Sequence, residues 1–514
     1  MAIQQGIIKF VTTTDYFHLF IFFTIIYVLN FYYKYFTRPN PLPGPLPLPI
    51  IGNYHNLGSD VRQFYIQCQP KYGGISEAML GHRYIVLSHP NYIDKVLDRK
   101  VFHAKLPYSQ GLDEMGMYGH GIVFNDDYES WRSNSKFFTD AFLPQRYMDN
   151  VVKSTIKLYE ELSGYWQSLG NQNTSNYGND NWTYETDLAK WFHRYTNDII
   201  SIVITGERTY SIASYYNTQS RIKSEYSDAL VEDGDKFVKS IIQYIECITF
   251  FSFFGPFIRH YIPMVKDKNE SYLKNLDSEM RVDMLTSLIT ANTNAKDSND
   301  EALKLIADEE IRGNILDAFL GGTDTTANLF CFITYFICKN PDVKQKMLSE
   351  IDLILPKTSD ISNNDLQKLK YCEAIIKEAY RMVPVAPFAF RTITEDCEIA
   401  GYKWTRGTNF LINYLAIHGH PEFWPDPEVF NPDRFYNKDQ DDKSLGDKFA
   451  FMMFGGGRRI CPGRKLAMTE LLLSMVLVFK NYNIELVDMN EPLKILTLAT
   501  TNCQELKVKI SPRA

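Results

Sequence analysis

The chain lacks any basic run: its 54 lysines and arginines are dispersed among 61 acids, for a formal charge of −7. That leaves no electrostatic footprint for nucleic acid, and no nucleic-acid partner is expected. Cysteine is sparse as well. The eight, Cys68, Cys247, Cys331, Cys338, Cys372, Cys397, Cys461 and Cys503, never fall at the close spacing that holds zinc or an iron–sulfur cluster. A chain of 514 residues with so few thiols reads as reduced and facing the cytosol. Internal repeats are absent, and beyond Asn53 no linker divides the chain, so residues 54–514 are expected to form one large domain.

One long apolar run is present, at the N-terminus. Tyr16 to Phe36 reads YFHLFIFFTIIYVLNFYYKYF, enough to cross roughly 30 Å of hydrocarbon. No small-residue cleavage site follows and aromatics crowd its exit, so residues 1–37 are expected to be a single-pass membrane anchor rather than a cleaved signal. Lys34 and Arg38 follow the span, against Lys9 and Asp15 before it, which places the body in the cytoplasm. Residues 38–53, RPNPLPGPLPLPIIGN, form a proline-rich hinge, read as a stiff spacer. Two polar segments, 168–182 and 291–302, read as mobile surface loops.

The second half is helical in pattern: Asp308 to about Phe336, Asp365 to Arg381, and Lys465 to about Tyr482 carry apolar residues at helical spacing. Residues 392–414 alternate and carry turn residues, as short strands do. The expected fold class is therefore mainly α with small β-sheets. The helix from Asp308 is interrupted by GGTDTT, residues 321–326. Two interior glycines cost about 1 kcal/mol each relative to alanine. Either close helix packing or the approach of a flat cofactor to Gly321 and Gly322 offsets that cost, and the window alone does not choose.

Three further windows carry chemistry. Glu378 and Arg381 in KEAYR share a helical face, and Arg434 lies in FNPDRF, residues 430–435. Residues 451–468, FMMFGGGRRICPGRKLAM, set one cysteine in a glycine-rich turn ahead of an apolar helix. A cysteine thiolate can be a haem axial ligand that favours O–O cleavage, provided it stays anionic and is tuned by nearby donors. The glycines permit backbone N–H groups to approach the sulfur, the following helix N-terminus adds positive potential, and Arg459 suits a propionate.

Together the four windows resemble the cytochrome P-450 family of haem-thiolate monooxygenases, in the family's order and spacing. Its F-x-x-G-x-R-x-C-x-G pattern is met by Phe454, Gly457, Arg459, Cys461 and Gly463. Its oxygen-activation pattern is met by residues 321–326, its E-x-x-R by Glu378 and Arg381, and its F-x-P-[E/D]-R-F by residues 430–435. The resemblance runs from the hinge to about residue 510 and is that of a membrane-anchored eukaryotic member.

The resemblance implies the family's fold, with haem b between the central helix and the cysteine loop, and Cys461 as iron ligand. It implies that Phe454 packs beside the thiolate, that Arg459, Arg391 and Trp131 belong to the haem environment with Gly321 and Gly322, and that Asp324 and Thr325 deliver protons during oxygen activation. Glu378, Arg381 and Arg434 would brace the cysteine side. In the family's W-x-x-x-R helix, Ser135 stands where an arginine is expected, leaving open whether Arg132 or Lys136 substitutes. The implied activity inserts one atom of O₂ into a hydrophobic substrate, with electrons from NADPH through a cytochrome P-450 reductase and with cytochrome b5 as a further partner. A haem-thiolate isomerase or lyase, and a non-enzymatic haem sensor, are the alternatives; Asp324 and Thr325 speak against both. Arg458, Arg464 and Lys465 are candidates for reductase docking. Residues 244–263 are either core or a lid that dips into the membrane, and 104–122 with 384–390 are expected to line the pocket. The endoplasmic reticulum membrane is the expected location.

Overall fold

The computed structural model describes residues 16–58, 60–97, 104–105, 109–142, 145–173, 182–226, 231, 233–275, 308–356, 361–436 and 448–513. A 32-residue central helix, Asp308–Lys339, crosses the body. Its closest neighbour is the helix Leu188–Thr205, and side chains lock the two together: Phe192 stacks on Phe330 with ring centres 3.9 Å apart, and Thr196 Oγ1 donates to the Thr323 carbonyl at 2.8 Å. The helix Arg464–Asn481 is apolar around its whole circumference between Leu471 and Phe479, and every residue from Thr469 to Phe479 is buried. A helix without a polar stripe has only the core as a stable place.

The strands are short: β1 (Ile75–Leu80), β2 (His82–Leu87), β3 (Tyr184–Asp187), β4 (Phe388–Thr392), β5 (Cys397–Ile399), β6 (Tyr402–Trp404), β7 (Asn409–Asn413), β8 (Tyr482–Leu486), β9 (Lys494–Thr497), β10 (Thr501–Glu505) and β11 (Lys507–Pro512). They form a four-stranded sheet ordered β1-β2-β7-β4, a three-stranded sheet β3-β11-β8, and the pairs β9-β10 and β5-β6. Among the described strands only β2 and β7 run parallel, and β7, which lies between β2 and β4, is buried along its length. The sheet sets up the site, because β4 carries Arg391 and an Ala104–Thr392 bridge fixes the start of the following loop beside it.

Several expectations need correction. The helix predicted over Asp365–Arg381 is two: a single turn, Asn363–Leu366, capped by Ser362, and then Lys370–Met382. Glu350, from the neighbouring helix Pro341–Ile354, accepts from the Tyr371 and Cys372 N–H groups, so the second helix starts on a carboxylate supplied from outside. The hinge is docked against the body along part of its length. Leu42 is buried, Glu77 N–H donates to the Pro43 carbonyl, and the buried Glu77 pairs with Arg38 and with Arg83, which also donates to the Pro39 and Asn40 carbonyls. Of the two polar segments, 168–173 continue the helix Gln145–Asn173, 174–181 lie outside the described residues, and so do 291–302. The apolar N-terminal helix, Tyr16–Phe36, has no buried residue.

Candidate active site

Cys461 sits in a turn shaped by glycines. Gly455 and Gly457 have φ of +69° and +64°, left-handed values, and a Cβ at Gly457 would collide with the Leu97 carbonyl oxygen. The Cys461 N–H donates to the Phe454 carbonyl at 3.0 Å, closing the loop, and the Gly463 backbone lies beside the sulfur. Burial pushes the Cys461 thiol up, while Gly463, Lys105 and Arg464 pull it down. The residue as a whole is half-buried.

Behind this loop stands a buried ionic brace. Arg381 Nε and Nη2 each meet a Glu378 oxygen at 2.8 Å, and both side chains are at most 1% exposed. Arg434 comes to 3.4 Å of Glu378, and the Asn431 N–H donates to the same carboxylate. Arg381 Nη1 also donates to the His418 carbonyl, whose imidazole Nε2 accepts from the Met452 N–H at the entry to the cysteine loop. Sequence spacing located the ion pair, but not its linkage to the loop through His418.

On the central helix the two glycines differ. A Cβ on Gly322 would fall 2.2 Å from Ile200 Cδ1, whereas one on Gly321 would meet nothing within 4 Å. Each of the two explanations for the glycine pair thus holds for one residue: packing for Gly322, open approach for Gly321. Thr325 donates to the Gly321 carbonyl at 2.6 Å and is half-buried. Asp324 points elsewhere, into the core, where Oδ1 meets His193 Nε2 at 3.3 Å and Asn328 Nδ2 at 2.9 Å while Oδ2 is buried without a partner. His193, 131 residues earlier, carries no sequence signal for this contact.

The cationic side of the site is richer than the motifs suggest. Arg459 donates to the Ile122 and Asn125 carbonyls and lies 4.5 Å from the Trp131 ring. Burial and then Arg391 bring its guanidinium down to about 9. Arg391 is buried on β4, where its Nη1 donates to the Phe390 carbonyl. Arg132 and Lys136 are both exposed on the helix Tyr128–Phe142, and neither approaches this group. Lys105 does. Burial, Arg459 and Arg391, in that order, push its ammonium down to about 7, and it is within electrostatic reach of Asp317 and Cys461. No pattern in the sequence marked Lys105, which reaches the group because its backbone is pinned by the Ala104–Thr392 bridge and by Asp126.

Three like charges gathered in low dielectric repel, so the cluster is suited to an anionic partner. The buried Tyr414 hydroxyl, without a partner and facing Gly455, adds a polar atom that the chain leaves unsatisfied. An anionic, flat macrocycle fits this set of groups: buried cations and an unpartnered hydroxyl for its edge, a cysteine thiol, and a central-helix glycine whose open side meets no atom within 4 Å. Asp317 and Glu310 complete the wall. Asp317 accepts from the Ile122 and Val123 N–H groups, and Glu310 from Gly121, Ser130 and Asn134, which straps residues 121–125 to the central helix. Burial raises the Asp317 carboxyl to about 6.

Comparison with known proteins agrees with this geometry. The family model for cytochrome P450 matches residues 42–510. Cytochrome P450 3A18 of Rattus norvegicus is 25% identical over 497 residues, covering 92% of each chain. Geranylhydroquinone 3''-hydroxylase CYP76B74 of Arnebia euchroma is 26% identical over 459 residues, 87% of this chain and 88% of its own. Melianol synthase CYP71BQ5 of Melia azedarach is 27% identical over 467 residues, 88% of this chain and 89% of its own. With the family matched over nearly its whole body, this chain belongs to the cytochrome P450 family of haem-thiolate monooxygenases.

Proposed function

We propose that the protein is a membrane-anchored monooxygenase that hydroxylates or otherwise oxygenates a lipophilic small molecule, using NADPH-derived electrons from a cytochrome P450 reductase. The observation that carries this reading is the Cys461 turn, built on left-handed glycines and closed on the Phe454 carbonyl, with the buried cations Arg391, Arg459 and Lys105 beside it. Haem bound through a thiolate supplies reductive activation of dioxygen, with one atom going to substrate and the other to water. The chain's own residues do the rest. Cys461 is the iron ligand; Arg391, Arg459 and Lys105 hold the propionates, with Trp131 stacked against Arg459. Phe454 closes the cysteine turn, and Gly321 admits the ring. Asp324, whose Oδ2 is buried without a partner, and the half-buried Thr325 next along the helix are the pair assigned to proton delivery. Glu378, Arg381 and Arg434 keep the loop in place.

The body comprises residues 54–514, anchored by 1–37 through the hinge 38–53 in the endoplasmic reticulum membrane, and it faces the cytoplasm. Leu46, Leu48, Ile50 and Ile51 are exposed, and Tyr54 beside them stacks on Phe254 at 5.4 Å. Tyr261 and Ile262 continue the apolar surface, while Cys247, Phe250 and Phe251 of the same region are core. The 244–263 segment therefore supports both of its readings at once, a buried inner face and an outer face suited to lipid and to entry of a lipophilic substrate. Arg458 and Lys465 are exposed beside the cysteine turn and suit an acidic redox partner, reductase or cytochrome b5.

The test is the reduced, carbon-monoxide-bound spectrum. The wild-type protein should show the strongly red-shifted Soret band of thiolate ligation, and Cys461→Ser should lose it. Product formation should require NADPH and the reductase. Turnover of a hydroperoxide in the absence of both would instead establish an isomerase or lyase.

A further inference from the structure

We propose that His89, His420 and Glu422 form a binding site for a divalent transition-metal ion, zinc by its donor set, independent of the haem site. Their ligand atoms all lie within 4.8 Å of one another. The three come from two segments far apart in sequence: His89 follows β2, and His420 and Glu422 lie in the turn after the helix Tyr414–His418. His420 is 6% exposed, His89 is half-buried and Glu422 reaches solvent, so the cluster has a buried floor and an open mouth.

The geometry is close to a coordination sphere. Zinc–nitrogen and zinc–oxygen bonds of about 2.1 Å at a tetrahedral angle set neighbouring ligand atoms about 3.4 Å apart. His89 Nε2 and Glu422 Oε2 already stand at 3.4 Å. The two imidazoles meet edge to face with centres 4.9 Å apart, and rotation of the His420 ring closes the remaining gap. Backbone contacts orient both rings. Asn91 N–H points to His89 Nδ1 and Glu422 N–H to His420 Nδ1, each at 3.3 Å, which turns the Nε2 edges inward. Coordination through Nε2 moves the ring proton to Nδ1 and gives up those two long bonds, a small loss beside two metal–nitrogen bonds. Gln69 Nε2 lies 3.1 Å from His420 Nε2, a third contact that coordination would displace, and water would complete the sphere. Two imidazoles and one carboxylate match zinc, nickel or cobalt better than calcium or magnesium, which prefer all-oxygen sites.

Such an ion would tie the end of β2 to the turn two residues beyond His418, the residue that supports the cysteine loop. The site's expected role is thus structural: it clamps that turn.

The experiment uses full-length, haem-loaded protein in detergent micelles, stripped with a chelator and titrated with zinc chloride by calorimetry, with bound metal counted by elemental analysis. One zinc per chain is expected, with a rise in melting temperature on zinc addition. His420→Ala and His89→Ala should each weaken binding by at least about tenfold and abolish that rise, and Glu422→Gln should weaken it less. Circular dichroism and melting without zinc establish that the variants fold; should His420→Ala fail, the half-buried His89→Ala decides alone. Absence of zinc binding by the wild type, or equal binding by wild type and His89→Ala, overturns the proposal.

Discussion

The two sides of the site are stabilised in opposite ways. On the cysteine side, Glu378 is buried with both oxygens engaged, and its main partner Arg381 is one helical turn away. On the central-helix side, Asp324 is equally buried but keeps one oxygen without a partner, and its imidazole contact comes from a distant helix. A closed network fixes a position, whereas an open one leaves a polar atom free to take a further partner. The proposed roles follow that difference: Glu378 and Arg381 hold the site, Asp324 acts in it.

The largest expected effect tests the closed side. Removing one member of a buried, hydrogen-bonded ion pair leaves the other charged and unpaired, which costs about 3–5 kcal/mol. Arg381→Ala should therefore unfold at markedly lower denaturant or temperature and lose the red-shifted Soret band as a consequence. Asp324→Asn should behave differently. It keeps the shape and the Asn328 contact, so folding and haem content should remain near wild type while kcat falls by about 100-fold, the low end for loss of a proton-transfer group. Parallel melting and turnover measurements on the two variants decide the matter. If Asp324→Asn destabilises the protein as much as Arg381→Ala, the division between the two sides fails.

Legibility followed the same division. Glu378–Arg381, Cys461 with its glycines, and the Gly-Gly interruption could be read because their chemistry is local: i,i+3 spacing, left-handed backbone, helix propensity. Lys105, His193, His418 and Tyr414 could not, because each reaches the site through a tertiary contact made by an otherwise ordinary stretch of chain. Ser135 shows the limit most clearly. The sequence shows where an arginine is missing, but the cation beside Arg391 and Arg459 is Lys105, which comes from beside β4 and not from the helix that carries Ser135. The break before Lys370 was hidden for a similar reason, since its cap is Glu350 on another helix.

A smaller effect sharpens the cysteine side by pH. Burial and then Arg381 push the His418 imidazole down to about 3, and its Nε2 accepts from Met452, so the folded protein holds it neutral. The unfolded chain protonates it near 6.5. The folded pKa is depressed, so the folded state binds fewer protons: its stability is fully present above about 6.5 and is lost as pH falls toward 3. His418→Gln should flatten the dependence of unfolding free energy on pH across that window, even if it lowers stability at pH 7. An unchanged acid slope would show that other groups set it.

The smallest effect returns to Gly321 and Gly322, where the comparison comes down to one methyl group on neighbouring residues. Alanine is favoured over glycine inside a helix by about 1 kcal/mol. At Gly322 that gain is opposed by Ile200 Cδ1, 2.2 Å from the new Cβ, and the flexible end of that side chain must move. At Gly321 nothing opposes it unless the space beside the helix belongs to the cofactor. Gly321→Ala should therefore leave the melting temperature equal or higher while lowering the ratio of Soret to protein absorbance, and Gly322→Ala should lower the melting temperature with haem content unchanged. If the two substitutions had the same effect on haem content, the open face of the helix would have to be placed elsewhere than at Gly321.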